Sequence, residues 1–212
     1  GTSFLYSAIN QGIAEEYGII DINPAGAEGN MLDLEDAGAA LNSPVKITSG
    51  GYEQVKGADV LIITAGRPQL EGETRLDMVA DNAKIMAGIA KEVVAAGFQG
   101  ITVIASNPVD VMTTVYQQAT GFDKAKVISS SCSLDSSRLR VELAKVLEVA
   151  PTSVAAFVVG EHGDSSVSTL EHGTIMGIPF INYLRDVKGY DDAKLAKLHE
   201  TVYKKAYEII NR

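Results

Sequence analysis

Two short apolar runs, Val60-Leu61-Ile62-Ile63-Thr64 and Ile101-Thr102-Val103-Ile104-Ala105, constrain the fold of this chain more than any other feature. Neither alternates apolar with polar residues, so neither reads as a strand with one face in water; continuous runs of this kind are the strands of parallel sheets covered on both faces. Parallel neighbours need a crossover between them, and residues 73–96 supply one, a helix entered through the polar loop 66–72. The same alternation extends in both directions. Helices are expected over 2–14 and 25–41 and strands over 17–22 and 45–48. A helix over 108–120, opened by Pro108, and a strand over 126–129 follow. Such βα alternation implies the α/β class, a doubly wound parallel sheet of the Rossmann type, over residues 1–130. Past residue 130 the pattern changes to a helix over 134–147, a strand over 156–159, a glycine-bracketed loop and a last helix from Asp191. This is read as the start of a second, α+β catalytic domain over 131–212.

Composition removes several function classes. A net charge of −9 and a pI near 4.8 argue against nucleic acid and anionic membrane surfaces, which are met by basic patches. The expected partner is a small molecule. A single cysteine, Cys132, rules out an internal disulfide framework; no Cys/His cluster has zinc spacing, so no metal is expected. Cys132 itself reads as a small buried hydrophobe. No apolar run reaches the roughly 18 residues of a membrane span and no signal peptide opens the chain, so a cytoplasmic protein is expected.

Open parallel sheets bind ligands at the carboxyl ends of their strands. Asp21 ends the strand at 17–22, about 20 residues beyond Gly1, the separation at which an acidic residue takes the hydroxyls of an adenosine ribose. No arginine follows in Ile22-Asn23-Pro24 to accept a 2′-phosphate, which favours NAD over NADP. Asp21 reads equally well as a turn or capping residue. Gly1 is expected to be the last glycine of a G-x-G-x-x-G fingerprint, with the preceding strand, central in this topology, missing from the chain.

Further on, Gly160-Glu161-His162-Gly163-Asp164 follows Ser133-Leu134-Asp135-Ser136-Ser137-Arg138. A histidine, a carboxylate to orient it and an arginine to grip an anion are the parts needed to move a hydride on a small hydroxy acid. Taken singly, His162 could be a structural loop residue, and Asp135 with Arg138 a local salt bridge at a helix start.

Five segments in one order carry a resemblance that spacing alone does not. Thr64-Ala65-Gly66, Gly72-Glu73-Thr74-Arg75-Leu76, Ser106-Asn107-Pro108-Val109-Asp110, Ser133-Leu134-Asp135 with Arg138, and Gly160-Glu161-His162-Gly163-Asp164 together resemble the lactate/malate dehydrogenase family over essentially the whole chain, truncated at both ends. The resemblance implies an NAD-dependent oxidoreductase interconverting pyruvate and L-lactate. It implies His162 as proton donor, oriented by Asp135; Arg75 as the loop cation that polarises the carbonyl; and Arg138 as the bidentate grip on the substrate carboxylate. Asn107 would hold the nicotinamide ribose and the reacting oxygen. Gly1, Asp21, Thr64, Ala65, Gly66, Asn82 and Asn107 would bind the cofactor. Gln69 would face the substrate side chain, where malate enzymes place an arginine; neighbouring Arg67 could reach inward, which keeps malate open. A further alternative is a nucleotide-binding remnant without chemistry.

The resemblance also implies a cis Asn107–Pro108 peptide and a homodimer or homotetramer assembled through helices at 29–41 and 191–212. In relatives activated by fructose 1,6-bisphosphate, an arginine two residues after the substrate-binding arginine acts with a histidine seven before the catalytic one. Arg140 stands at the first position and Ala155 at the second, so weak activation or none is expected.

Overall fold

The two continuous apolar runs pair with each other. In the computed structural model, which describes residues 1–41, 44–67 and 75–210, they lie in parallel, Val60 against Ile101 and Ile63 against Ile104. The chain divides into two units, Gly1–Ser129 and Ser130–Arg212.

The first unit runs α1 (Thr2–Asn10), β1 (Glu16–Ile19), α2 (Pro24–Ala37), β2 (Lys46–Ser49), β3 (Val60–Ile63), α3 (Arg75–Ala95), β4 (Ile101–Ile104), α4 (Val109–Thr120) and β5 (Val127–Ser129). All five strands are parallel, as a doubly wound fold requires. They form two ladders, β1-β2 and β3-β4-β5. In the doubly wound strand order 3-2-1-4-5-6 the second and fourth strands each neighbour the first and not one another. Helix α1 stops at Asn10, short of the expected 14, and α2 gives way after Ala37 to a 3₁₀ turn, Gly38–Ala40. Pro24 opens α2 at a position where its missing N–H costs nothing, and the Asn23 side chain caps the helix by accepting from the Gly26 amide at 3.2 Å.

Helical spacing decides what these helices bury. Met86, Ala90 and Val93 of α3 and Val109, Met112 and Tyr116 of α4 form one core with Ile63, Ile104 and Val127 of the three-stranded ladder. Each large side chain fully removed from water there is worth about 1.5–3 kcal/mol. The two hydroxyls this carries inward match each other: Tyr116 and Thr102, both fully buried, share a hydrogen bond of 3.1 Å. A smaller core, Ile9, Ile19, Ala27, Leu34 and Ile47, joins α1 and α2 to the other ladder.

The second unit runs α5 (Ser133–Leu147), β6 (Val154–Ala155), β7 (Val158–Val159), β8 (Val167–Ser168), β9 (Thr174–Ile175), β10 (Ile178–Pro179) and α6 (Asp192–Ile210). Its strands are antiparallel, in a β10-β9-β6 sheet and a β7-β8 pair. The expected strand over 156–159 is thereby corrected: the chain leaves one sheet after Ala155 and enters the other at Val158, so neither strand spans the whole run. Leu139, Leu143 and Leu147 of α5 share a core with Leu195, Leu198 and Val202 of α6. Glu142 joins the two helices, 2.7 Å from Lys205 and 2.9 Å from Lys145. Cys132 is buried, and among the described residues no helix is long and apolar enough to cross a membrane.

Candidate active site

Helix α5 begins directly after β5, and its first turn carries Asp135. The carboxylate is buried, only 5% of its side chain exposed, close to the partly positive helix N-terminus. Its Oδ2 lies 2.6 Å from Nδ1 of His162 and its Oδ1 lies 3.5 Å from Nη1 of Arg138. The pair is brought together across 27 residues by the return of the chain through β7. Gly160 then turns it with φ +97°, a conformation a side chain would resist, and His162 follows two residues on. The loop closes on itself: Ser166 N–H donates to the Gly163 carbonyl at 3.2 Å and the Ser165 hydroxyl to Glu161 Oε2 at 2.8 Å.

An ionised carboxylate only accepts hydrogen bonds, so Asp135 makes Nδ1 the protonated nitrogen of the neutral imidazole and leaves Nε2 as the nitrogen that gains or loses a proton. The His162 side chain is 28% exposed and that of Arg138 13%. Among the described residues Arg138 makes this single ion pair, so most of its fork of donors remains for an anion.

The first unit holds a second group of the expected residues at the carboxyl ends of its strands. Thr64, Ala65 and Gly66 follow β3 and are exposed, Asn107 follows β4 and is exposed, and Asp21 lies two residues beyond β1. The Asn107 side chain makes no hydrogen bond among the described residues. The Asn107–Pro108 peptide is cis. Asp21 makes the turn its second reading expects: Oδ1 accepts from the Asn23 amide at 2.9 Å, and the residue is exposed. Gly1 lies so close to Thr64 that an added Cβ would sit 3.3 Å from its hydroxyl. Exposed backbone at the strand ends, an unengaged amide and, among the described residues, a carboxylate with no cation beside it offer donors and acceptors of the kind a dinucleotide uses.

Asn82, expected among the cofactor-binding residues, is instead buried beneath them. Its Oδ1 accepts from Arg67 N–H at 2.9 Å, and its Nδ2 donates to the carbonyls of Arg67 and Asn107, each at 3.2 Å. With both amide hydrogens spent on backbone, it ties two strand-end loops together. The sequence reading missed Asp81, whose carboxylate meets Arg67 Nη2 at 2.7 Å and Nε at 3.2 Å. That hydrogen bond holds the Asp81 carboxyl below the usual carboxylate range. Asp81 precedes Asn82 by one residue and follows Arg67 by 14, too far apart for a local pattern to announce the pair. Gln69 lies outside the described residues, and of Arg75 only the backbone, at the start of α3, lies within them. Among the described residues no group of three or more His, Cys, Asp or Glu side chains could hold a metal ion.

Comparison with known proteins gives a consistent set of matches. Residues 1–129 match the family model described as lactate/malate dehydrogenase, NAD binding domain, and residues 132–212 the model described as lactate/malate dehydrogenase, alpha/beta C-terminal domain. The chain is 56% identical over 212 residues to an L-lactate dehydrogenase of Mycoplasma mobile, covering 100% of this chain and 66% of the relative. It is 53% identical to one of Mesoplasma florum, covering 100% and 67%. Among solved structures, the minor L-lactate dehydrogenase from Enterococcus mundtii in its ligands-bound form superposes with a TM-score of 0.96 at 44% identity, covering 100% of this chain and 68% of that one. The chain thus spans about two thirds of the length of these relatives.

Proposed function

Because this chain belongs to the lactate/malate dehydrogenase family, we propose that it is the greater part of an NAD-dependent L-lactate dehydrogenase, interconverting pyruvate and L-lactate. The observation that carries this reading is the Asp135–His162 pair at 2.6 Å, with Arg138 beside it on the same helix. NADH, when bound, supplies the hydride to the carbonyl carbon. His162 gives the proton on Nε2 to the carbonyl oxygen, so that pyruvate, NADH and one proton become lactate and NAD, and the imidazole takes the proton back in the reverse direction. Asp135 keeps the ring in the productive orientation. Arg138 binds the carboxylate common to substrate and product through parallel hydrogen bonds.

Asp21, the 64–66 backbone, Asn107 and Gly1 hold the dinucleotide, with Asn82 supporting two of these loops from beneath. Arg75 polarises the carbonyl, and Gln69 faces the methyl group of pyruvate. The charge of Arg67 is already opposed by Asp81, which weighs against its serving as the partner of a second substrate carboxylate and so against malate. The reading carries with it a cytoplasmic enzyme that works as a homodimer or homotetramer. Loss of nicotinamide absorbance, followed in the full-length protein with pyruvate and with oxaloacetate, tests it. Turnover of pyruvate in clear preference to oxaloacetate is expected; preference for oxaloacetate would replace the reading by malate, and NADH binding without turnover of either by a remnant.

A further inference from the structure

Three side chains in line along α5, one at its N-cap Cys132 and two at positions 136 and 140, bond in turn to the backbone at 160, 158 and 156. The Cys132 thiol donates to the Gly160 carbonyl at 3.5 Å. The Ser136 hydroxyl accepts from the Val158 amide at 2.9 Å and donates to the Val158 carbonyl at 3.4 Å. Arg140 Nε donates to the Ala156 carbonyl at 3.1 Å. Each step is four residues along the helix, about 6 Å, and two residues along the extended segment in the opposite direction, about 6.6 Å. The two repeats nearly match, so a helix face takes the place of a neighbouring strand. The other edge of the segment is occupied in the ordinary way: β7 pairs with β8, and the Phe157 carbonyl, between two of the rungs, accepts from Thr169 N–H at 2.8 Å.

We propose that this side-chain ladder sets the register of residues 156–162 against α5, and that Ser136, its buried middle rung, is a positioning residue for His162. Asp135 adjoins Ser136 on the helix, and His162 lies two residues beyond the last rung. A slip of one rung would carry the imidazole about 6 Å along the helix and away from its carboxylate. Arg138 is on α5 itself, so its grip on a carboxylate does not depend on that register. The ladder therefore governs placement of the proton donor separately from substrate binding. The proposal rests on the reading of this site as a pyruvate reductase.

The test uses the full-length protein with Ser136→Ala and Ser136→Thr. Four quantities are measured: hydrogen exchange at the Val158 amide in the free protein, kcat and KM for pyruvate, and affinity for oxamate, the unreactive isostere of pyruvate. Ser136→Ala is expected to speed exchange at Val158 about tenfold or more and to lower kcat about 10- to 100-fold, the scale of a misplacement near 1 Å, with oxamate affinity changed by less than about threefold. Ser136→Thr, which keeps the hydroxyl, should restore most of both. Should the alanine variant not fold, Cys132→Ala, which removes an outer rung, is expected to show a smaller fall in kcat with oxamate affinity unmoved. Unchanged kcat in a folded variant whose wild type is active, or a loss of kcat with Val158 exchange unaltered, would overturn the positioning role alone. A wild type that binds oxamate but reduces no pyruvate would overturn the functional reading and the positioning role with it, leaving Val158 exchange to judge the ladder as a structural device.

Discussion

Arg67 turns its guanidinium onto Asp81, 2.7 Å away, from the loop that follows β3. A cation already opposed by a carboxylate is a poor discriminator between pyruvate and oxaloacetate, and the proposed reading gives that choice to the neutral Gln69. Gln69→Arg is therefore expected to move the ratio of kcat/KM for oxaloacetate over pyruvate by more than tenfold, each factor of ten corresponding to about 1.4 kcal/mol. The new charge would attract the second carboxylate and face the pyruvate methyl unpaired. A smaller shift, measured with both acids in the full-length protein, would move the specificity away from Gln69.

Fructose 1,6-bisphosphate should leave the enzyme nearly unaffected. Arg140, the one cation present of the expected pair, is engaged at home: Nε bonds the Ala156 carbonyl at 3.1 Å, and the guanidinium lies 5.0 Å from the centre of the Phe157 ring. Each charge-assisted hydrogen bond forgone costs roughly 1.5–3 kcal/mol of binding. Kinetics at subsaturating pyruvate, with and without millimolar effector, should agree within about twofold on this estimate; a several-fold fall in apparent KM would count against it.

The hairpin between β9 and β10 offers a stability test away from the site. Its two loop residues, Met176 and Gly177, have φ of +49° and +86°, the pattern of a turn that favours Asn-Gly. Methionine there strains the backbone and is 80% exposed, so little packing is at stake. Met176→Asn should stabilise by about 0.5–1 kcal/mol and raise Tm by about 1–3 °C. An unchanged or lower Tm in calorimetry would refute this.

Acid should loosen the α5–α6 pair. Burial by itself would raise the Glu142 carboxyl, but hydrogen bonds from Lys205 and Lys145 outweigh it and hold the group below its ordinary value. A depressed carboxylate contributes stability that is complete above the unfolded value, about pH 4.3, and is lost as pH falls through the lower folded value. Glu142→Gln should lower the urea midpoint at pH 7 and leave it near wild type in strong acid. A deficit that is the same at both pH values would contradict the linkage.

The parallel strands were legible because 60–64 and 101–105 are apolar without interruption, a pattern with few other uses. The two-residue strands β8, β9 and β10 were not, being too short to show a period. The run at 156–159 has the residue types of one strand; what limits the strand to Val158–Val159 is the change of partner from β9, paired by Val154–Ala155, to β8, a tertiary fact. Asp135 and His162 were legible as chemical types, while their meeting across 27 residues came only from resemblance and is now visible as a hydrogen bond. Asn82 shows the opposite limit, since its residue type is the same whether it faces a ligand or bridges two loops.

The central claim is that His162, held by Asp135, is the proton donor to a 2-oxo acid. Its most direct test is the single-turnover rate of pyruvate reduction by the full-length protein and its His162→Gln variant, each preloaded with NADH, with Tm as the control for an intact fold. The variant is expected to lose about 10²–10⁴-fold in that rate, the usual scale of a positioned acid, while Tm stays within a few degrees. A variant that reduces pyruvate within about tenfold of wild type would assign the proton to another group and contradict the mechanism.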